Sequence, residues 1–378
     1  MLAGLSVAPS AWASQFSSGE FSAQLFRSLT KNKDLENTVI SPYALSLAMG
    51  VAGFGARGKT ARQLGRAQPW TLRPEAFSRL WAANRLWVQR DHPLLKSYLE
   101  ASDRHFEVRP WVVDFTKAPD FLRDRINGWV EEKTNSKVKE FLNLDALDSS
   151  LQMLLSSVIF FRADWAVPFE RGGTHEGVFA LASGQSVKAQ FTPVIPFMKT
   201  TGTFKYKRLG DLQILELPYT EKDTVMDVFL PDTASGLESL EESLSINGWE
   251  SLLADMAPRS VEVQLPKFTM GMTLDLTEGL KALGVVDAFV PELADFSGMT
   301  GKRDLYLSKM YQEALIAVTE EGTTASGSGV FALRKPASAP SFTAFTADHP
   351  FTFLIWNKVT QVVLYLGHFV KPGAKDMI

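Results

Sequence analysis

The stretch that decides the fold is residues 318–345, which read VTEEGTTASGSGVFALRKPASAPSFTAF. The residues on both sides of it are far more apolar. Upstream, residues 314–318 have the pattern of a buried strand, and downstream residues 351–356 and 362–366 have the same pattern. The segment between them, residues 321–347, is about five times the usual length of a connection, and such a segment is either functional or disordered.

The two halves of this segment differ in composition. Residues 322–329 (GTTASGSG) carry only small side chains, which suit either a flexible linker or a strand that slides between other strands without burying bulk or charge. Residues 330–341 contain a leucine, two basic residues and two prolines, which suit an exposed, extended bait for a protease cleft. The residues alone leave the linker and the insertable strand both open.

Composition excludes several classes of function. The net charge is −3, so the chain has no general attraction to nucleic acid or to an anionic membrane. The absence of cysteine excludes disulfides and thiolate metal sites. The five histidines are scattered without the spacing of metal ligands, so we expect neither a metal nor another cofactor. No G-x-S-x-G elbow or other nucleophile context occurs, and we therefore expect that the protein is not an enzyme.

The first residues resemble the end of an export signal. Residues 2–10 are mostly apolar and precede Ala11-Trp12-Ala13, an A-x-A cleavage pattern, although no basic start comes before them. We therefore predict that residues 1–13 are the remnant of an export signal and that the protein is extracellular or periplasmic. A frayed N-terminal arm is the alternative. No segment offers roughly 18 uninterrupted apolar residues, so we predict no transmembrane helix.

The order of helix and strand patterns indicates an α+β protein with mostly antiparallel sheets. Residues 43–54 are apolar nearly all round and predict a buried helix, and residues 151–161 predict a strand that is buried on both faces. From residue 191 onward strands dominate, with helices between them. The predicted strands are 203–207, 212–217, 225–230 and 261–267, and the predicted helices are 236–244 and 274–283.

Short motifs run along the chain from about Phe21 to Pro372. They are 37–42 (NTVISP) with Gly55 and Thr60, 126–130 (INGWV) with Thr134, Phe161 with 165–169 (WAVPF), 216–219 (ELPY), 265–268 (LPKF), 294–298 (ADFSG), and 345–351 (FTADHPF) with 366–367 and Pro372. Each resembles a motif of the serpins, the serine protease inhibitor family, and they occur in the family's order.

The resemblance implies the serpin fold, with about nine helices, three mostly antiparallel sheets and an exposed reactive-centre loop. Residues 14–378 would form a single domain, with the loop at about residues 320–345. In this family the serine of the target attacks a bond in the loop, and the cut loop inserts into the main sheet at the acyl-enzyme stage. The implied partner is a serine protease held in a covalent complex, and the implied protein is a monomer that acts once.

The resemblance places the hinge of the loop at residues 320–329. Residues 323–329 have no charge, no proline and no large side chain, so they can enter a sheet at modest cost, which favours an inhibitor. The two glycines at 327 and 329, and Thr324 in place of the usual glutamate, depart from the family pattern. The hinge residues are Glu320, Glu321, Gly322, Thr323, Thr324, Ala325, Ser326, Gly327, Ser328 and Gly329.

The scissile bond falls in a window of five residues. Counting about fifteen places from Gly322, as in most inhibitory serpins, gives the bond between a proline and an alanine, a poor match to common serine proteases. An arginine suits a trypsin-like pocket, and an alanine before a serine suits an elastase-like or subtilisin-like pocket. The lysine is disfavoured because a proline follows it. The candidates are Arg334, Lys335, Pro336, Ala337 and Ser338.

The family's main sheet opens first at a region called the breach. Lys267 and Glu320 match the salt-bridging pair of that region and Trp165 is expected nearby. We predict that the pair helps to hold the sheet closed until the loop enters. Because it lies at the rim of the sheet, we expect a contribution of about 1 kcal/mol.

Lower in the main sheet lies the shutter, where the family usually has a hydrogen-bonded asparagine and histidine. Ser157 and Gln312 stand at those positions here, with Ser41 nearby. We predict that Ser157 and Gln312 pair with each other and form a neutral latch that does not respond to pH.

The alternative within the family is a non-inhibitory serpin, a carrier or structural protein whose loop does not insert. Large or charged residues from 323 to 329 would support it, and the sequence has none there. A hydrolase is the third reading and would require turnover.

Overall fold

The computed structural model describes residues 18–31, 36–66, 80–182, 193–221, 223–323 and 342–373. Nine α-helices lie in this part of the chain. They are α1 (Ser18–Thr30), α2 (Pro42–Gly55), α3 (Gly58–Arg66), α4 (Lys96–Phe106), α5 (Pro119–Lys133), α6 (Leu237–Asn247), α7 (Glu250–Leu253), α8 (Thr277–Ala282) and α9 (Ser297–Thr300). None of these described helices has the length and apolar character needed to cross a membrane.

Sixteen strands in the described residues form two hydrogen-bonded networks. They are β1 (Thr38–Ile40), β2 (Leu80–Gln89), β3 (Trp111–Val113), β4 (Met153–Phe161), β5 (Ala163–Asp164), β6 (His175–Val178), β7 (Val194–Leu209), β8 (Leu212–Pro218), β9 (Thr224–Pro231), β10 (Ala257–Pro266), β11 (Phe268–Asp275), β12 (Lys309–Val318), β13 (Gly322–Thr323), β14 (Thr343–Thr346), β15 (Phe351–Asn357) and β16 (Val362–Phe369).

The smaller network, of seven strands, is the main sheet. Its order is β3-β2-β4-β12-β13-β5, and β11 pairs with the other edge of β12. At its centre β4 and β12 run parallel to each other, from the pair Leu154 and Lys309 to the pair Phe160 and Leu315. All but one of the nine residues of β4 are buried, which confirms the strand predicted at residues 151–161.

The larger network of nine strands consists of two parts that share β7. Its order is β1-β16-β15-β9-β8-β7-β10-β14, with β6 also on β7. The 16-residue strand β7 pairs with β6 and β10 over most of its length and with β8 over its last five residues. The two parts and the main sheet are consistent with the three sheets expected.

Two predicted elements need correction. The strand predicted at residues 203–207 is the end of β7, which starts at Val194, because the polar run at 199–202 pairs with β10 instead of forming a turn. The helix predicted at 274–283 starts at Thr277, because the residues before it belong to β11, which pairs with β12 along its whole length.

Two helices position the main sheet. Helix α2 is buried over nearly its whole length, as predicted, and Ser41 caps it by accepting a hydrogen bond from the Ala44 backbone N–H at 3.2 Å. Helix α5 packs Ile126 and Trp129 onto Trp87 of β2. The main sheet is therefore held between a buried helix and a surface helix.

Candidate functional site

The candidate site begins where the pairing of β4 with β12 ends. Beyond Phe160 and Leu315, the two-residue strand β13 lies between β12 and β5, with Thr323 opposite Val318 on one side and opposite Ala163 on the other. It is antiparallel to both neighbours. Two hinge residues thus already occupy a strand position in the main sheet. The other predicted hinge residues from Thr324 onward, all five scissile-bond candidates and residues 1–13 lie outside the described residues.

Both residues of β13 are suited to this position. A Cβ atom added to Gly322 would lie 2.1 Å from the backbone oxygen of Ala163, so only glycine allows the two backbones to approach this closely. Thr323 is 0% exposed, and its Oγ1 lies 2.7 Å from the hydroxyl oxygen of Tyr219. Burial raises the pKa of Tyr219 well above its ordinary value, so this phenol stays protonated and the hydrogen bond stays neutral.

The structure brings the three predicted breach residues together. Lys267 Nζ lies 2.9 Å from Glu320 Oε2, and Thr174 Oγ1 donates a hydrogen bond of 2.8 Å to the other carboxylate oxygen. Burial opposes ionisation of Glu320, but the hydrogen bonds from Lys267 and Thr174 outweigh it and hold its pKa below the ordinary value. Trp165 donates from Nε1 to the Thr319 backbone oxygen at 2.9 Å.

Trp165 also connects the breach to the hinge. Its ring stacks on Tyr219 with ring centroids 4.4 Å apart, and its backbone N–H donates to the backbone oxygen of Glu321 at 2.9 Å. Tyr219 in turn contacts Thr323. A displacement of the hinge would therefore change the surroundings of the Trp165 ring, one of the nine tryptophans that contribute to the fluorescence of the chain.

Replacing Lys267 with methionine should weaken the closed sheet modestly. The methionine keeps much of the side-chain bulk but leaves Glu320 with Thr174 alone, and we expect a loss of about 1 kcal/mol in stability, smaller at high salt because screening weakens the pair. Because the pKa of Glu320 is lowered in the folded protein, the pair stabilises at neutral pH and this contribution disappears as the pH falls through that pKa.

Thermal melts at neutral and acidic pH measure this effect. Lys199→Met is the matched control, because Lys199 forms a salt bridge of the same 2.9 Å length with Glu262 in the other network. Both variants should melt slightly earlier, and only Lys267→Met, which acts beside Trp165, should shift the summed emission of the nine tryptophans. A Lys267→Met variant that melts at the parental temperature at neutral pH and low salt would contradict the prediction.

The shutter differs from the prediction. Gln312 Oε1 accepts a hydrogen bond from the backbone N–H of Ser41 at 2.8 Å, and Gln312 Nε2 donates to the backbone oxygen of Ser41 at 2.9 Å. Ser157 lies opposite Gln312 in the register of β4 and β12, yet its hydroxyl has no hydrogen-bond partner among the described residues. The expected pairing of Ser157 with Gln312 is therefore wrong. The side-chain amide of Gln312 pairs with both the N–H and the carbonyl group of Ser41. The Ser157 hydroxyl could pair with only one of the two polar atoms of that amide.

Sequence reasoning missed two contributors to this site. Tyr219 stands in the sequence only as the last residue of the motif at 216–219, and Thr174 belongs to none of the motifs. The position of Tyr219 directly after Leu217-Pro218 was a usable signal, because a tyrosine that ends a buried strand needs a partner for its hydroxyl. Nothing in the sequence around Thr174 points to Glu320.

Comparisons with known proteins agree with this geometry. The family model for Serpin (serine protease inhibitor) matches residues 17–372. The chain is 32% identical to the leukocyte elastase inhibitor of Bos taurus, covering 93% of this chain and 97% of the relative. It is also 32% identical to Serpin B9 of Homo sapiens, covering 94% and 98%.

A solved structure gives the same result. The crystal structure of Serpin48, a highly specific serpin of the insect Tenebrio molitor, superposes with a TM-score of 0.81 at 26% identity, covering 97% of this chain and 98% of that one. The predicted α+β serpin fold is therefore confirmed. With a family model that spans almost the whole chain and relatives above 30% identity, this chain belongs to the serpin family of serine protease inhibitors.

Proposed function

We propose that this serpin inhibits a serine endopeptidase by suicide trapping and that its loop enters the main sheet from β13. The serine hydroxyl of the target attacks a backbone carbonyl within residues 334–338, an acyl-enzyme forms, and the loop beyond the cut leaves with a new amino terminus. The loop before the cut then extends β13 between β4 and β12. The observation that carries this proposal is the place of Gly322 and Thr323 between β12 and β5.

The strand directions supply a driving force for this insertion. β4 and β12 now share a parallel ladder, whereas β13 is antiparallel to both of its neighbours. A loop that continues along β13 would replace one parallel ladder by two antiparallel ones, which are more stable per residue. About 14 inserted residues at about 3.3 Å each would carry a tethered protease on the order of 45 Å.

A protease panel tests the proposal. We expect an SDS-stable covalent complex with at least one trypsin-like, elastase-like or subtilisin-like enzyme. Loop-cleaved protein should melt on the order of 10 °C above intact protein, because about 14 residues that gain backbone hydrogen bonds contribute about 10 kcal/mol. No complex with any enzyme, together with no rise in melting temperature on cleavage, would contradict insertion and favour the carrier or structural alternative.

The target class and the location belong to the same proposal. The Bos taurus relative is by name an inhibitor of leukocyte elastase, which supports an elastase-like target that cleaves after Ala337. A trypsin-like target that cleaves after Arg334 is the alternative. Mass spectrometry of the cleaved loop shows which of the two bonds is cut. An extracellular or periplasmic location rests only on the A-x-A pattern at residues 11–13 and is tested by the N-terminus of the mature protein.

Stoichiometry separates an inhibitor from an enzyme. Serpins are protease inhibitors rather than catalysts. We propose that the present chain likewise is not a catalyst and that it acts as a monomer that forms a one-to-one complex with its target. Turnover of any peptide substrate by the purified protein would contradict it.

A further inference from the structure

A cavity of about 520 Å³ lies over one face of the main sheet at β11 and β12, against the segment that follows α5. One wall is the segment that follows α5, and the other is the outer face of β11 and β12. The first wall includes Lys137, Val138, Lys139 and Glu140, and the second includes Gly271, Glu313 and Leu315. Its volume is in the range of small-molecule sites.

Glu313 forms the acidic floor of this cavity. Its residue surface is only 5% exposed, and its Oε2 accepts a hydrogen bond of 2.5 Å from Thr273 Oγ1. Its Oε1 accepts no hydrogen bond from any described residue. A Cβ atom added to Gly271 would lie 3.1 Å from this Oε1, so the glycine keeps the space beside the oxygen open. This oxygen is open to the cavity and has both lone pairs available to a donor on a bound molecule.

The opposite wall carries two basic side chains, Lys137 and Lys139, and one acidic side chain, Glu140. Lys139 is exposed and forms no ion pair with the described residues. Lys137 lies with its Nζ 4.1 Å from the centre of the Phe160 ring, a cation–π contact that leaves it at the cavity wall. Val138 and Leu315 add apolar surface, and Leu315 lies on the same face of the sheet as Glu313.

We propose that this cavity binds a small zwitterion of the amino-acid class, whose ammonium group donates to Glu313 and whose acidic group pairs with Lys139. The methylene groups between the two charges contact Val138 and Leu315. Burial raises the pKa of Glu313 to about 7, partly offset by the hydrogen bond from Thr273, so the carboxylate is ionised above neutral pH and protonated below it. Binding therefore weakens as the pH falls.

The position of the cavity gives such a ligand a regulatory effect, a consequence that rests on the proposed function. β12 has to separate from β4 when the loop inserts, and the segment after α5 leads directly into β4. A ligand that bridges Glu313 and Lys139 would tie these two parts together. It would slow insertion and let more acyl-enzyme hydrolyse.

Calorimetry with 6-aminohexanoate tests the binding without any protease. The full chain is used, because Gly373, the last described residue, also lines the cavity. We expect saturable binding at pH 8 that weakens about tenfold at pH 6, as the carboxylate with a pKa of about 7 becomes protonated. Hexylamine and hexanoate, each with one of the two charges, should bind at least about tenfold more weakly than the zwitterion.

Variants locate the site. Glu313→Gln keeps the hydrogen bond from Thr273 and should abolish binding, and Gly271→Ala should weaken it by narrowing the space beside Oε1. Glu278→Gln, at an exposed carboxylate in α8, is the matched control and should bind like the parent. Absence of saturable binding at millimolar 6-aminohexanoate, equal binding of hexylamine, or full binding by folded Glu313→Gln would overturn the proposal. Binding without an effect on inhibition would support the binding site and contradict its regulatory role.

Discussion

Replacing Thr323 with arginine is expected to turn the protein from an inhibitor into a substrate of its target. Thr323 is 0% exposed, lies between β12 and β5, and contacts the Tyr219 hydroxyl at 2.7 Å. A guanidinium in that place would be buried without a partner, which costs several kcal/mol. Insertion extends β13 beyond this residue, so an arginine that displaces β13 from the sheet would slow insertion while hydrolysis of the acyl-enzyme continues. Each 1.4 kcal/mol added to the insertion barrier slows the step about tenfold.

The measurement is the number of serpin molecules consumed for each protease molecule inactivated. We expect this number to rise at least about tenfold in Thr323→Arg, with cleaved serpin replacing covalent complex on a gel. Thr323→Ser keeps the small size and the hydroxyl and should behave like the parent. Thr323→Val keeps the size but leaves the buried Tyr219 hydroxyl without this partner, so it should raise the number much less than the arginine does. Trapping by Thr323→Arg with parental stoichiometry would show that the loop does not enter the sheet at this residue.

The hinge shows what side-chain size can and cannot predict. The small, uncharged side chains of residues 322–329 predict from the sequence alone that this segment can enter a sheet. Gly322 and Thr323 already pair with β5 and β12, and this pairing depends on a close approach to the backbone oxygen of Ala163. That oxygen lies where a Cβ atom on Gly322 would be, and Ala163 is 159 positions earlier in the chain. A contact of this kind has no local signal.

The misjudged strands have a related cause. In β11 the apolar residues Phe268, Met270, Met272 and Leu274 alternate as in a strand, but Gly271 and the polar threonines between them have low or mixed strand preference. The pairing with β12 decides that the segment is a strand. In β7 the polar residues 199–202 resemble a turn, and their pairing with β10 makes them a strand. Cross-strand partners override weak local preference in both cases.

Replacing Gln312 with leucine is expected to loosen the main sheet. Gln312 is 1% exposed, and its amide satisfies both the N–H and the carbonyl group of Ser41. The carbonyl group also accepts from the Leu45 N–H, but the buried N–H of Ser41 would be left without a partner among the described residues. An orphaned buried donor and one further lost hydrogen bond together cost about 3 kcal/mol. We expect an earlier melt and faster loss of inhibitory activity on mild heating.

Ser157→Ala is the matched comparison at the same level of the sheet, because Ser157 and Gln312 are partners in the register of β4 and β12. The Ser157 hydroxyl is buried without a partner among the described residues, so its removal should be neutral or slightly stabilising. Opposite effects of the two substitutions would identify the contact between Gln312 and Ser41 as the latch. If Ser157→Ala destabilised the protein as much as Gln312→Leu, the two side chains would have to pair with each other in solution, and the latch inferred from the Ser41 contacts would be wrong.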